Sequence, residues 1–546
     1  MVSYVIIIVS IVVFNCLHQE VTLKSIRTPK TLVKTSSGWI LGKETRTVDL
    51  GKPYISFSGI PYGEPPVGDL RFRAPVPVKP WNGIKNVTEK GNSCVQLTFG
   101  DEDCLNLNIY VPQLDETEIG RLPVIVYIHG GFFMCGDAGY KLQAPDYFLE
   151  EDVIFVSINY RVDIFGFLST EDELAYGNWG LKDQILALEW VKENIENFGG
   201  NKFNITLMGQ SAGSASVHYL LQTPKAKGLF HRAIMLSGTT LNSWSFTRSP
   251  RSSAFLIGSL VSVDTENSTA LLKQLREIEP HTLSILSMVL NILLIFIHDW
   301  KEGFLFSPSR EPPHDGAIVL GYNHENLENG DFNNIPILMG FVSQEAINFY
   351  PAFNVFRPYL LQYDLFKERL IPGSMNVDSL KKKQVADEIK QKCFGDSLVV
   401  SSTTDLIQFI TEDQFTRPIM ESARIMANFT RLYLYRFSYM GEENVTDGTG
   451  IGVGHGDDLN YLFYYGYTNQ STGDILTRQK FVKLCSNFAK TSYPNLEDVS
   501  WPIFTENGTY LDIGKNLTLR NDLDSYRFHW WSYLYNTYGQ RPFNTY

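Results

Sequence analysis

The chain has 546 residues, with 47 Lys and Arg against 59 Asp and Glu and a formal net charge of −12. That acidic balance argues against nucleic acid or an anionic membrane surface as a partner, while 44% apolar residues are enough for a sizeable core. The length allows about three average domains, but one α/β core with long insertions reaches it too.

Residues 4–14 are an unbroken mostly apolar run, with no charge before Glu20. The run is too short to span a bilayer comfortably and fits the core of a signal peptide, although the usual basic start is missing. A buried strand or a membrane anchor would be the alternatives. Residues 1–19 are expected to be a signal peptide cut between Asn15 and Glu20, leaving 20–546 as a single domain. N-x-S/T sites at Asn86, Asn204, Asn267, Asn428, Asn444, Asn469, Asn507 and Asn516 fit a secreted, extracellular glycoprotein. The last residues carry neither an ER-retention tetrapeptide nor an apolar anchor tail, so no transmembrane anchor is expected.

Of the 6 cysteines, Cys16 would leave with the signal. Cys94 and Cys104 are close enough to close a short loop in an oxidising compartment. Cys135, Cys393 and Cys485 remain, so at least one thiol stays free or pairs between chains. No C-x-x-C and no Cys/His cluster occurs, which predicts neither a metal site nor a cofactor.

Residues 34–42 and 54–61 read as early strands, followed by turn-rich sequence around Pro65-Pro66. Residues 105–111 alternate like a strand with one covered face. The apolar run 122–129 ends in Gly130-Gly131, as a central strand does before a functional loop, and 153–160 is another such run. Apolar residues at helical spacing (Ile185, Leu188, Val191, Ile195) follow, stopped by Gly199-Gly200. A strand at 205–208, a helix at 215–221 and a strand at 230–236 come next. This alternation implies a mostly parallel sheet with helices on both faces. Residues 249–330 break the rhythm. Within them 283–297 is strongly apolar but interrupted by Ser284, Ser287 and Asn291; it reads as a buried helix, or as a lid or pocket wall with a greasy surface. Strands resume at 335–340 and 432–437, with a charged helical insertion at 359–428 between them.

The stretch Gly209-Gln-Ser-Ala-Gly213 lies between the 205–208 strand and the 215–221 helix. In that context G-x-S-x-G is a nucleophile elbow, the glycines permitting a turn that exposes Ser211. The pentapeptide alone is weak, since chance supplies it about 0.2 times in a chain this long. A serine nucleophile needs a base that is itself oriented by an acid, and in this architecture the order is Ser, acid, His. Among the downstream histidines only His455 sits in a Gly-framed turn. Glu345 follows the 336–340 strand through a short loop, at the strand end where open α/β sheets gather their sites. Backbone N–H groups after Gly130-Gly131, with that of Ala212, are placed to receive a developing oxyanion.

These motifs, together with Gly59-Ile-Pro-Tyr-Gly-Glu-Pro-Pro66, Leu70-Arg-Phe-Arg-Ala-Pro75, Glu102-Asp-Cys-Leu-Asn-Leu-Asn108, Asn159-Tyr-Arg161, Gly177-Asn-Trp-Gly-Leu-Lys-Asp-Gln184 and Gly454-His-Gly-Asp-Asp458, make the chain resemble type-B carboxylesterases. That is the carboxylesterase/cholinesterase family, of α/β-hydrolase fold with large helical insertions. The resemblance implies a catalytic triad of Ser211, Glu345 and His455 and oxyanion donors at Gly131, Phe132 and Ala212. It also implies a Cys94–Cys104 disulfide and bracing ion pairs Arg71–Glu102 and Arg161–Asp183. Ser237 and Asp413 fall where the family keeps polar residues behind the triad. The implied activity is hydrolysis of small, apolar carboxylic esters through an acyl-enzyme.

Several positions depart from the family pattern. Phe132 stands where Gly or Ala is usual, and Gln210 replaces the carboxylate usual before the serine. The Cys94–Cys104 loop has no Trp, so a quaternary ammonium would find neither an aromatic face nor that charge, which argues against a cholinesterase. The Gly-Gln-Ser-Ala-Gly spelling is similar to that of insect juvenile hormone esterases; detoxifying or odorant-degrading insect esterases fit at least as well. The rivals are a non-catalytic cholinesterase-like binding protein and a low-turnover protein that sequesters esters.

Overall fold

The structure is a computed structural model, which describes residues 31–113, 121–263, 265–294, 303–355, 357–441, 452–466, 470–497, 499–505, 508–521 and 527–543. The expected signal peptide at residues 1–19, the sequons at Asn444, Asn469 and Asn507, and the end of the apolar 283–297 stretch lie outside them.

An 11-stranded sheet forms the frame. Its strands are β1 (Lys43–Arg46), β2 (Pro53–Pro61), β3 (Asn106–Pro112), β4 (Leu122–Ile128), β5 (Ile154–Ile158), β6 (Gly200–Gln210), β7 (Arg232–Leu236), β8 (Ile337–Val342), β9 (Leu432–Phe437), β10 (Tyr510–Ile513) and β11 (Leu517–Arg520). Across the sheet they run β11-β10-β9-β8-β7-β6-β4-β5-β3-β2-β1. The block from β5 through β4 to β10 is parallel, and the strands at both margins are antiparallel.

The parallel block is buried on both faces, as its near-continuous apolar strands require. Alternate residues serve opposite layers. Val124, Val126, Leu207 and Met235 point into one core. It also holds Leu188 and Val191 of α2 (Trp179–Asn194) and Leu220 of α3 (Ala212–Gln222). Ile125, Tyr127, Met208 and Ile234 point into the other, with Phe481, Cys485 and Phe488 of α7 (Thr472–Thr491). The short α1 (Asp163–Phe167) precedes α2; α4 (Pro280–Leu294), α5 (Thr403–Thr411) and α6 (Arg417–Met426) belong to the insertions.

The predicted ion pairs are formed in buried surroundings. Arg161 clamps Asp183 through Nε at 2.8 Å and Nη2 at 2.7 Å, and Arg71 grips Glu102 while also donating to the carbonyls of Leu275 and Ile278. Cys94 and Cys104 are disulfide-bonded, and Cys135, Cys393 and Cys485 are free thiols.

Two expectations need correction. Residues 34–42 are not one strand: Leu32–Lys34 and Trp39–Leu41 form a hairpin whose turn is closed by Thr35 and Gly38, and Ile84–Asn86 adds a third strand to this separate small sheet. The described part of the apolar 283–297 stretch is helix α4, but it is not a buried helix throughout. Its inward face carries Leu283, Ser284, Ser287, Met288 and Asn291, whereas Ile285, Val289, Ile292 and Leu293 are exposed. The polar side chains face inward because each finds a partner there: Ser284 Oγ accepts from Leu97 N–H at 2.8 Å, Ser287 Oγ donates to Asp163 at 2.5 Å, and Asn291 Oδ1 accepts from Leu305 N–H at 2.8 Å.

Among the described residues no helix is long and apolar enough to cross a membrane. Asn86, Asn267, Asn428 and Asn516 are exposed; Asn204 is half-buried, its side-chain oxygen held by the Arg232 guanidinium.

Candidate active site

Ser211 stands between the end of β6 and the start of α3 with φ 57° and ψ −122°, a backbone that ordinary residues avoid. The glycines around it are sterically obligatory. A Cβ on Gly209 would lie 2.3 Å from the Gly213 oxygen, and one on Gly213 would lie 2.1 Å from the Ile128 oxygen. The turn is pinned from β7, where the Leu236 carbonyl accepts from Ser211 N–H at 2.8 Å.

Gly130 packs against this turn, since a Cβ there would meet Ser211 Cβ at 3.0 Å. The next residues fold back sharply. Gly131, at φ +112°, has its carbonyl oxygen accept from Met134 N–H at 2.9 Å and Cys135 N–H at 3.0 Å, and a Cβ on it would strike the Cys135 oxygen at 2.1 Å. Phe132 and Phe133 follow at φ 59° and 60°, two left-handed aromatic residues in succession. The left-handed conformation costs a non-glycine residue roughly 1 kcal/mol, which packing must offset. The Phe133 ring is fully buried, edge-on to Phe167. The half-buried Phe132 ring stands edge-on to Phe304 at 5.6 Å and tilted to Phe349 at 6.0 Å.

Glu345 lies just beyond β8 and is fully buried. One carboxylate oxygen accepts from Val342 N–H at 3.0 Å; the other accepts from His455 Nδ1 at 2.6 Å. With Nδ1 as donor, the lone pair of His455 is on Nε2. The His455 backbone is fixed by its N–H to the Glu345 carbonyl at 3.2 Å and by Asn348, which donates to the His455 carbonyl at 3.0 Å. Sequence brought these two residues forward from places 110 apart, and the structure joins them. At Nε2 stands Gln210, whose carboxamide nitrogen is 3.3 Å away.

Residues that sequence reasoning did not single out complete the surroundings. Residues Glu412–Thr416 form a π-helical turn between α5 and α6, a distortion that often marks functional sites. It presents Phe415 to the His455 ring at 4.8 Å, and Gln414 is anchored by Ser243 Oγ while its carbonyl accepts from Asn242 and Trp244. No sequence signal marks a π turn. Asp458, three residues past His455, is fully buried; burial and the Glu345 charge push its carboxyl up to about 7, against the opposing hydrogen bond from Tyr435 at 3.1 Å.

Ser237 sits one residue past β7, at φ 55°, with its N–H on the Gly340 carbonyl at 2.9 Å and a buried hydroxyl that has no partner among the described residues. Asp413 is on the π turn, accepts from Gln414 Nε2 at 2.6 Å and lies 3.8 Å from the Arg417 guanidinium. Among the described residues no group of three or more His, Cys, Asp or Glu is arranged to hold a metal ion.

Comparison with known proteins fits this geometry. The sequence pattern of the carboxylesterase family matches residues 29–531. Carboxylesterase 1D of Rattus norvegicus is 33% identical, over 92% of this chain and 93% of its own. Juvenile hormone esterase of Tribolium castaneum is also 33% identical, covering 86% and 85%. Esterase E4 of Myzus persicae is 32% identical, covering 93% and 92%. Among solved structures, juvenile hormone esterase from Manduca sexta with OTFP covalently attached superposes with a TM-score of 0.83 at 29% identity, over 93% of this chain and 99% of that one.

Proposed function

We propose, because this chain belongs to the carboxylesterase family and is a carboxylic ester hydrolase, that it works through an acyl-enzyme on Ser211. His455 Nε2 takes the Ser211 proton as Oγ attacks the ester carbonyl. The N–H groups of Gly131, Phe132 and Ala212 receive the oxyanion, each such donor being worth about 3 kcal/mol. The imidazolium returns its proton to the departing alcohol, and His455 then activates the water that releases the acid. Glu345 keeps Nδ1 protonated and the ring oriented throughout. The observation that carries this reading is the 2.6 Å contact between Glu345 and His455 Nδ1 beside the strained Ser211 turn. The expected substrates are apolar esters of the detoxification, odorant or hormone type, met outside the cell. The solved relative with OTFP covalently attached supports covalent chemistry on this scaffold.

One observation favours a second reading, slow turnover amounting to sequestration. The Gln210 amide lies on the nitrogen that must accept the serine proton. Stopped-flow hydrolysis of p-nitrophenyl acetate separates the two. A steady release of p-nitrophenol over many turnovers supports fast hydrolysis; a burst followed by a near-zero rate means trapping; no burst and no release would contradict both.

A further inference from the structure

Helix α4 turns apolar side chains outward and is held down by polar ones, and Asp163 is where that attachment meets the turn beside Ser211. Its main-chain N–H donates to the Phe133 carbonyl at 2.6 Å. Its carboxyl is fully buried and takes the Ser287 hydroxyl on Oδ1 at 2.5 Å, while Oδ2 has no hydrogen-bond partner of its own among the described residues. The residue also sits at φ 54°, a conformation glycine would adopt without cost. A strained backbone and a half-satisfied buried carboxyl are two expenses at one position, and each calls for an explanation.

We propose that Asp163 is a positioning residue for ester hydrolysis: its N–H fixes the 131–135 turn through Phe133, and its uncharged carboxyl fastens α4 to that turn through Ser287. The proposal rests on the assignment of oxyanion donors to Gly131 and Phe132. Around neutral pH the carboxyl is held uncharged even though the Ser287 contact favours its charged form, because a charged carboxylate with a buried unpaired oxygen is expensive. Burial accordingly pushes the group up to about 7, against the opposing Ser287 hydroxyl, Ile164 N–H and Ser284 hydroxyl. Among the described residues no cation acts on its carboxyl. From the turn it is faced by the Cys135 thiol, itself pushed up by burial and by the Asp163 charge. From α4 it is faced by the two serines, and Arg161 on its own segment is committed to Asp183 of α2. Raising the pH through about 7 therefore places an unpaired negative charge behind the turn that must stabilise an oxyanion, and turnover falls.

The test is kcat and KM for p-nitrophenyl butyrate from pH 6 to 9 in wild type, Asp163→Asn and Ser287→Ala, with Tm measured alongside. Wild-type kcat is expected to fall about tenfold on the alkaline side, the worth of one pKa unit. Asp163→Asn should hold its neutral-pH rate across that range. Ser287→Ala removes a donor that favours the charged form, so its fall should move to higher pH. A wild type without the fall, or one whose fall persists in a folded Asp163→Asn enzyme, overturns the proposal. If Asp163→Asn does not fold, an unmoved profile in Ser287→Ala overturns it instead. Ser211→Ala in the same assay separates the two claims. Undiminished hydrolysis there sinks the assignment of the site, whereas identical alkaline profiles in a Ser211-dependent enzyme sink only the role of Asp163.

Discussion

Replacing Glu345 with Gln tests whether this carboxylate sets the tautomer of His455. The side chain is fully buried and has two donors to satisfy, Val342 N–H at 3.0 Å and His455 Nδ1–H at 2.6 Å. A carboxylate accepts from both; a carboxamide can accept from one. If the amide nitrogen turned to Val342, a buried main-chain N–H would lose its acceptor, at a cost of about 1–3 kcal/mol, and two donors would oppose each other. The imidazole, by contrast, can move its proton. Glu345→Gln therefore keeps its oxygen on Val342, donates to His455 Nδ1, and drives the proton to Nε2, where the base should have its lone pair. Wrong-tautomer variants of such sites lose about 10⁴ in kcat, or roughly 5 kcal/mol of transition-state stabilisation. The assay is kcat for a p-nitrophenyl ester near pH 7.5, with circular dichroism and Tm to show that the fold is kept. A folded Glu345→Gln enzyme within about tenfold of wild type would refute the reasoning.

Gly131→Ala places a Cβ 2.1 Å from the Cys135 oxygen at φ +112°, so the turn must shift; kcat should drop by about 10²–10³ with KM little changed, and near-normal kcat would show that the 131–132 amides do not hold the oxyanion. Asp458→Asn addresses stability. The wild-type carboxyl is raised from 3.8 to about 7, so its favourable contribution is complete below about 3.8 and is lost as pH rises through 7. The shift corresponds to an effect on the order of 4 kcal/mol. Urea unfolding should find Asp458→Asn stabilised relative to wild type at pH 8 and not at pH 4.5; a difference independent of pH would contradict this.

How much of this was legible in the sequence differs by kind of feature. Ser211, Glu345 and His455 stood out as candidates because Ser211 and Glu345 come just after strands and His455 lies in a glycine-framed loop beyond β9, in the chain order the fold expects; the structure brings Glu345 and His455 into contact. The parallel block was legible from apolar runs with helices between them. Helix α4 misled because apolar periodicity is read on the premise that apolar residues face inward; Ser284, Ser287 and Asn291 face inward instead, each having a partner more than ten residues away that no local pattern announces. The same holds for Phe415, which lies on the π turn of residues 412–416 and meets the His455 ring there. The closeness of Gln210 to His455 Nε2 spans 245 residues of sequence and follows from the elbow geometry rather than from either segment alone.

The acyl-enzyme mechanism requires Ser211 Oγ to carry the acyl group. Acid-quenching the enzyme during turnover of p-nitrophenyl acetate and mapping its peptides by mass spectrometry tests that directly. The acetyl group should be found on the peptide containing Ser211, and nowhere in the Ser211→Ala protein, which should also have lost hydrolysis. Sustained hydrolysis with Ser211 never acylated, or with the acetyl group on another residue, would contradict it.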